Sequence, residues 1–187
     1  SVKVDGVDVR DMTQKELRDK LGYVPQKGVL FSGTIDSNIR YGKPEITDAQ
    51  VKEAAEVAQA TEFIDTKPEK YESPVSQGGT NVSGGQKQRL SIARAIAKDP
   101  EIFIFDDSFS ALDFKTDSQL RKALKEYTKD ATTVIVAQRI STILGADQII
   151  VLDDGHMAGI GTHKELMANC EVYQQIARSQ LSEEELA

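Results

Sequence analysis

Residues 102–113 read Ile102-Phe103-Ile104-Phe105-Asp106-Asp107-Ser108-Phe109-Ser110-Ala111-Leu112-Asp113. Four apolar residues run directly into two adjacent carboxylates. An unbroken apolar run of this kind predicts a strand buried on both faces, as in a parallel sheet. Acids at the carboxyl end of such a strand fall where open α/β sheets place their ligands. The stretch therefore argues for an α/β fold and raises a chemical question: what two neighbouring carboxylates do there, and why both are aspartates.

The flanking sequence supports that class. Val2, Val4, Val7 and Val9 surround Asp5-Gly6, a β-hairpin signal. Thr13 with Glu16, Thr47 with Gln50, Ser83 with Gln86 and Thr162 with Glu165 are spaced as capping boxes, each predicting a helix start. Between them, "LGYVPQ" reads as a short strand, residues 67–82 as loop, "TTVIVAQ" as a further buried strand and "QIIVLDDGHMAGIG" as a closing hairpin. Strands alternate with helices through the second half, which predicts a parallel sheet. "LSEEELA" reads as a solvated tail.

Bulk properties narrow the function. The 187 residues suit one domain, with 39% hydrophobic and 28% charged residues. Thirty acids against 23 bases give a net charge of −7, which lacks the basic face that nucleic acid requires. The single cysteine, Cys170, excludes an internal disulfide and reads as a spare thiol. No apolar run has membrane-spanning length. The opening "SVKVDGVDVRD" has no signal-peptide character, starts directly on strand-like alternation and reads as a cut inside a longer polypeptide.

The most specific chemistry lies in "NVSGGQKQR", residues 81–89. Ser83-Gly84-Gly85 at a predicted helix start offers free backbone N–H groups, a hydroxyl and the positive end of a dipole, an arrangement suited to phosphate. By itself such a tip reads more readily as an ordinary Ser-capped helix with a flexible entry. "VSGGQKQRLSIARAI", then "IFIFDD", then "SALD", in this order and at close spacing, resemble the nucleotide-binding domain of ABC transporters: signature motif, Walker B and D-loop. "YVPQKGVLFSGTIDSNIRYG" upstream resembles the Q-loop segment of the exporter subfamily, and "VLDDGHMAGIGTHKEL" its closing strands and helix.

The resemblance implies an α/β fold: a P-loop NTPase-like parallel sheet core with an α-helical signature subdomain, incomplete at the N-terminus. Residues 26–98 would form the helical and signature part, and 99–180 the core from Walker B to the H-loop. ATP and Mg²⁺ are the implied cofactors. Asp106 would hold Mg²⁺ through water, and Gln26 would contact Mg²⁺ and the attacking water and relay nucleotide state to a membrane domain. Ser83, Gly84, Gly85 and Gln86 would meet the γ-phosphate of ATP held by a second such domain in a head-to-tail dimer, with Asp113 near the interface. A transmembrane domain upstream in the same polypeptide and a place on the cytoplasmic face of the cell membrane follow from the same likeness.

The sequence also departs from the family pattern. The phosphate loop G-x-x-x-x-G-K-[ST] occurs nowhere in the 187 residues; the nearest miss, Gly79 to Gly84, is followed by Gly85 instead of Lys. The chain alone is therefore expected neither to bind ATP tightly nor to hydrolyse it, and its sheet to lack a neighbour. Asp107 stands where the family's catalytic base is Glu, one methylene longer; a misplacement of about 1 Å can cost on the order of a hundredfold in rate. Gln138 stands where the family carries a histidine, and an amide cannot become a cation. Gln77 likewise replaces a usual Glu. His156 and His163, the only histidines, read as structural or surface residues.

Asp107 and Gln138 weaken the same catalytic centre, a pattern similar to the degenerate half of heterodimeric ABC exporters. On that reading Asp106 binds metal and Asp107 marks a site that holds ATP without turning it over quickly. The signature would complete the partner's site. The alternative is a regulatory, non-hydrolytic ATP-binding and dimerisation module. The short Gln26–Gln86 segment, which leaves no room for long coiled coils, and the acidic charge both argue against an ATPase of chromosome or repair complexes.

Overall fold

A computed structural model describes residues 1–182, so part of the expected C-terminal tail lies outside the described residues. The chain divides into two compact units, Ser1–Val136 and the residues from Ala137 onward. In the first unit come β1 (Lys3–Val4), β2 (Val7–Asp8), α1 (Gln14–Lys20), β3 (Leu21–Val24), β4 (Gly33–Thr34), α2 (Ile35–Ile39), α3 (Asp48–Val57) and α4 (Thr61–Asp65). They are followed by β5 (Pro74–Val75), α5 (Gly84–Ala97), β6 (Ile102–Asp106), α6 (Phe114–Tyr127) and β7 (Thr132–Val136). The second unit holds α7 (Ile140–Ile143), β8 (Ile149–Asp153), β9 (His156–Gly161), α8 (His163–Asn169) and α9 (Glu171–Gln180).

The central element is a three-stranded parallel sheet in the order β3-β6-β7. Its register aligns Tyr23, Ile104 and Val134 in one row, and Val24, Phe105 and Ile135 in the next. Alternation sends these rows to opposite faces. Val24, Phe103 and Phe105 are buried in a core shared with Leu90, Ile92 and Ile96 of α5 and Leu120 and Leu124 of α6. The opposite face is open: Tyr23 is 56% exposed, Val134 46% and Val136 53%. The expectation of two-sided burial for residues 102–105 and for "TTVIVAQ" is thus corrected. An all-apolar strand hides which of its faces is covered: in β6 one face is buried and the other, with Ile102 and Ile104, half-buried, while in β7 only Ile135 is half-buried.

Local signals place the helices. All four expected capping boxes form, and a fifth joins Thr34 to Ser37 at the start of α2. The Asp5-Gly6 and Asp154-Gly155 turns carry positive φ at both positions, as a two-residue hairpin requires. Asp99, also at positive φ, ends α5 ahead of Pro100. The α3 stripe Val51, Ala54, Ala55 and Ala58 is buried as its periodicity predicts.

Arg94 on α5 binds the loop that follows β3. Its guanidinium donates to the Val29 and Asn38 carbonyls and to Asn38 Oδ1, and lies over the stacked rings of Phe31 and Tyr41. Burial pushes its pKa down from the ordinary arginine value. In the second unit a separate core gathers Val151, Leu166, Tyr173 and Ala177. Cys170 is a free thiol buried in that core, so its surroundings are apolar although its neighbours in sequence are polar. Tyr173 and His163 pair there through Tyr173 Oη and His163 Nδ1 at 2.8 Å, consistent with a structural role for that histidine.

Candidate functional site

Asp106 ends β6, and Asp107 follows at φ 44°, in the left-handed region that Asp occupies more readily than most residues. Its N–H donates to the Val136 carbonyl of β7 at 2.9 Å, which fixes the turn. Ser108 is fully buried, and its Oγ donates to the Val24 carbonyl at 2.8 Å, tying the β6 exit to the end of β3. The carboxylates therefore leave the sheet on a braced backbone.

Both acids are met by residues of β3 or its exit. Tyr23 Oη donates to Asp106 Oδ2 at 3.1 Å, and Gln26 Nε2 to Asp107 Oδ2 at 3.1 Å. The Tyr23 hydroxyl has its pKa raised, first because the Asp106 carboxylate accepts its proton bond and second by desolvation. Sequence reasoning paired Gln26 with this centre and missed Tyr23; its signal was a polar-tipped aromatic one residue before a strand's end.

The second cluster is the tip of α5. Ser83 Oγ accepts from Gln86 N at 3.2 Å, while Gln86 Oε1 accepts from Ser83 N at 3.1 Å. A Cβ built on Gly84 meets nothing within 4 Å, and one on Gly85 lies 3.5 Å from the Ala111 carbonyl oxygen. The fold of this chain thus does not itself require glycine at 84, although glycine at a helix start is costly relative to alanine. Without a side chain at 84 the helix-start N–H groups stay open, and such groups suit an anion. Gly85 also sets the tip beside the loop that ends in Asp113. Asp113 caps α6, accepting from Thr116 N at 3.0 Å and Thr116 Oγ1 at 2.7 Å, which holds its carboxyl below the usual range.

The structure therefore brings Gln26 to Asp107 beside Asp106, and Gly85 to the Asp113 loop. Gln138 lies in the second unit, where its carbonyl accepts from Gln180 Nε2 at 2.9 Å. Among the described residues no group of three or more His, Cys, Asp or Glu could hold a metal alone. Two carboxylates and an amide oxygen nonetheless fit Mg²⁺, which keeps several waters and takes phosphate oxygens instead of an all-protein cage. Nor is any described helix long and apolar enough to cross a membrane.

Carboxylates at the carboxyl edge of a parallel sheet, and a glycine-led helix tip in the same unit, mark a phosphate-handling α/β protein. The family profile described as ABC transporter matches residues 1–110. The chain belongs to the ABC transporter family, as an ATP-binding domain. It is 46% identical over 183 residues to an uncharacterized ABC transporter ATP-binding protein of Mycobacterium tuberculosis, covering 96% of this chain and 31% of that one. A putative multidrug export ATP-binding/permease protein of Staphylococcus aureus is 44% identical over 175 residues, 94% of this chain and 30% of its own. A bacterial Atm1-family ABC exporter solved with ATP bound superposes with a TM-score of 0.91 at 40% identity, covering 96% of this chain and 32% of that chain. The chain thus spans about a third of the length of these relatives.

Proposed function

We propose that this chain is the ATP-binding part of an ABC exporter, working at the cytoplasmic face of the cell membrane and joined in one polypeptide to a transmembrane domain. It pairs head to tail with a second nucleotide-binding domain of different sequence. Residues 26–98 form its signature subdomain and 99–180 its Walker B to H-loop core. The observation that carries the reading is Asp106 and Asp107 at the ligand edge of β6 with Gln26 already on Asp107.

When bound, Mg²⁺ would neutralise phosphate charge, and Asp106 and Gln26 would hold it. Asp107 occupies the position of a general base but ends one methylene short, so its carboxylate reaches the proton of the attacking water poorly and cleavage is slow. Gln138 contributes a hydrogen bond and no positive charge. Ser83, Gly84, Gly85 and Gln86 present donors to the γ-phosphate in the partner's site, which therefore performs the fast turnover.

The test is a mixed dimer of full-length chains. Changing the partner's catalytic Glu should abolish ATP turnover, while Asp107→Asn should keep most of it; equal losses defeat the slow-site assignment. Asp107→Glu with Gln138→His should raise turnover several-fold, and no gain at all favours a purely regulatory, non-hydrolytic module.

A further inference from the structure

The loop after β3 carries Gln26 in exposed surroundings, yet it is held from below. Gln88, midway along the first half of α5, is 1% exposed, and its amide is used at both ends. Its Oε1 accepts from Gly28 N at 2.9 Å, and its Nε2 donates to the Pro25 carbonyl at 3.1 Å. A carbonyl only accepts and an N–H only donates, so these partners dictate the amide's orientation. The two bonds bracket Gln26 and Lys27. Outside the strand ladders, no backbone–backbone hydrogen bond among the described residues holds positions 25–28. Gly28 makes the approach possible: a Cβ there would lie 2.8 Å from Lys87 O and 2.9 Å from Lys87 C. The loop backbone rests directly on the helix.

We propose that Gln88 is the positioning residue for Gln26: its buried amide clamps the loop at Pro25 and Gly28 so that the Gln26 side chain reaches Asp107 and the metal position. The assignment rests on the ATP-binding reading above. Because the clamp and the Ser83–Gln86 tip share α5, a shift of that helix moves Gln26 with it.

Three variants of the full-length protein test the clamp: Gln26→Ala, Gln88→Met and the two combined. Met keeps the volume of Gln and removes both hydrogen bonds. Hydrogen exchange at Gly28 should quicken at least tenfold in Gln88→Met. The Mg²⁺-dependent part of ATP affinity should fall by the same factor, about three- to tenfold, in all three variants, and ATP binding in excess chelator should not move. Residues acting as one unit are non-additive in this way.

Unchanged exchange, losses that multiply in the double variant, or an equal loss without Mg²⁺ each overturn the proposal. Should Gln88→Met fail to fold, Gly28→Ala, which forces the loop off α5 with Gln88 intact, must reproduce both effects or the proposal falls. A wild-type protein that binds no MgATP defeats the ATP reading instead, and exchange at Gly28 then decides the clamp alone.

Discussion

Tyr23 and Asp106 meet diagonally across the β3–β6 ladder: Tyr23 pairs with Ile104 in register, and its hydroxyl reaches two positions on to Asp106 Oδ2 at 3.1 Å. One oxygen of the Asp106 carboxylate, proposed to hold Mg²⁺, is therefore oriented by a neighbour. Groups that orient a metal ligand typically account for 10- to 100-fold in affinity. Tyr23→Phe in the full-length protein should raise the Mg²⁺ concentration needed for ATP-dependent activity about tenfold. Since the ring is exposed, unfolding free energy should change by less than about 0.5 kcal/mol. An unchanged Mg²⁺ requirement would remove Tyr23 from the site.

The tip of α5 separates folding from ligand recognition. Ser83 caps the helix, and Asp is as good a cap as Ser, so Ser83→Asp should leave stability within about 0.5 kcal/mol of the parent. It places a negative charge where the partner's γ-phosphate is proposed to sit, and ATP-driven dimerisation and turnover should fall at least tenfold. Gly84→Ala is the complement. With nothing near its Cβ, it should stabilise folding by up to about 1 kcal/mol while lowering ATP turnover. Turnover that survives both changes would leave the tip an ordinary capped helix.

What was legible beforehand follows from sequence distance. Capping boxes and Asp-Gly turns act within three residues, so Thr13/Glu16, Ser83/Gln86 and Asp154-Gly155 stand where their patterns put them. The Thr34/Ser37 box escaped because serine at the third helical position is outside the usual pattern. Tyr23–Asp106 and Gln88–Pro25 join residues 83 and 63 positions apart, and no periodicity encodes such a contact. Cys170 was not readable from periodicity: it sits in extended backbone between α8 and α9, and its burial comes from the core that Leu166 of α8 and Tyr173 and Ala177 of α9 build around it. Its polar neighbours in sequence are not its neighbours in space.

Tyr127 gives the fold an alkaline limit. Its pKa is pushed up to about 12, first by burial and then by the negative charges of Asp99 and Glu53. A hydroxyl whose pKa is higher folded than unfolded stabilises the fold while protonated. That contribution is full below about pH 10, the ordinary tyrosine value, and is lost as pH rises through about 12. Phenolate absorbance should show the last of the five tyrosines titrating near pH 12, together with unfolding. Tyr127→Phe should delete that step; a titration complete by pH 10.5 would contradict the assignment.

The open sheet face carries the last prediction. Parallel sheets are ordinarily covered on both faces, yet Tyr23, Val134 and Val136 leave an apolar surface beside Asp106. The edges of β3 and β7 are unpaired in the described sheet. Residues 1–187 expressed alone should associate as concentration rises, read by light scattering after size exclusion, and Val134→Lys with Val136→Lys should shift them toward monomer. Without a lysine-bearing phosphate loop, the same material should show no calorimetric ATP binding at micromolar concentrations. A clean monomer that binds ATP tightly would mean that these residues build a nucleotide site unaided, and would overturn the expectation that ATP binding here needs a lysine-bearing phosphate loop.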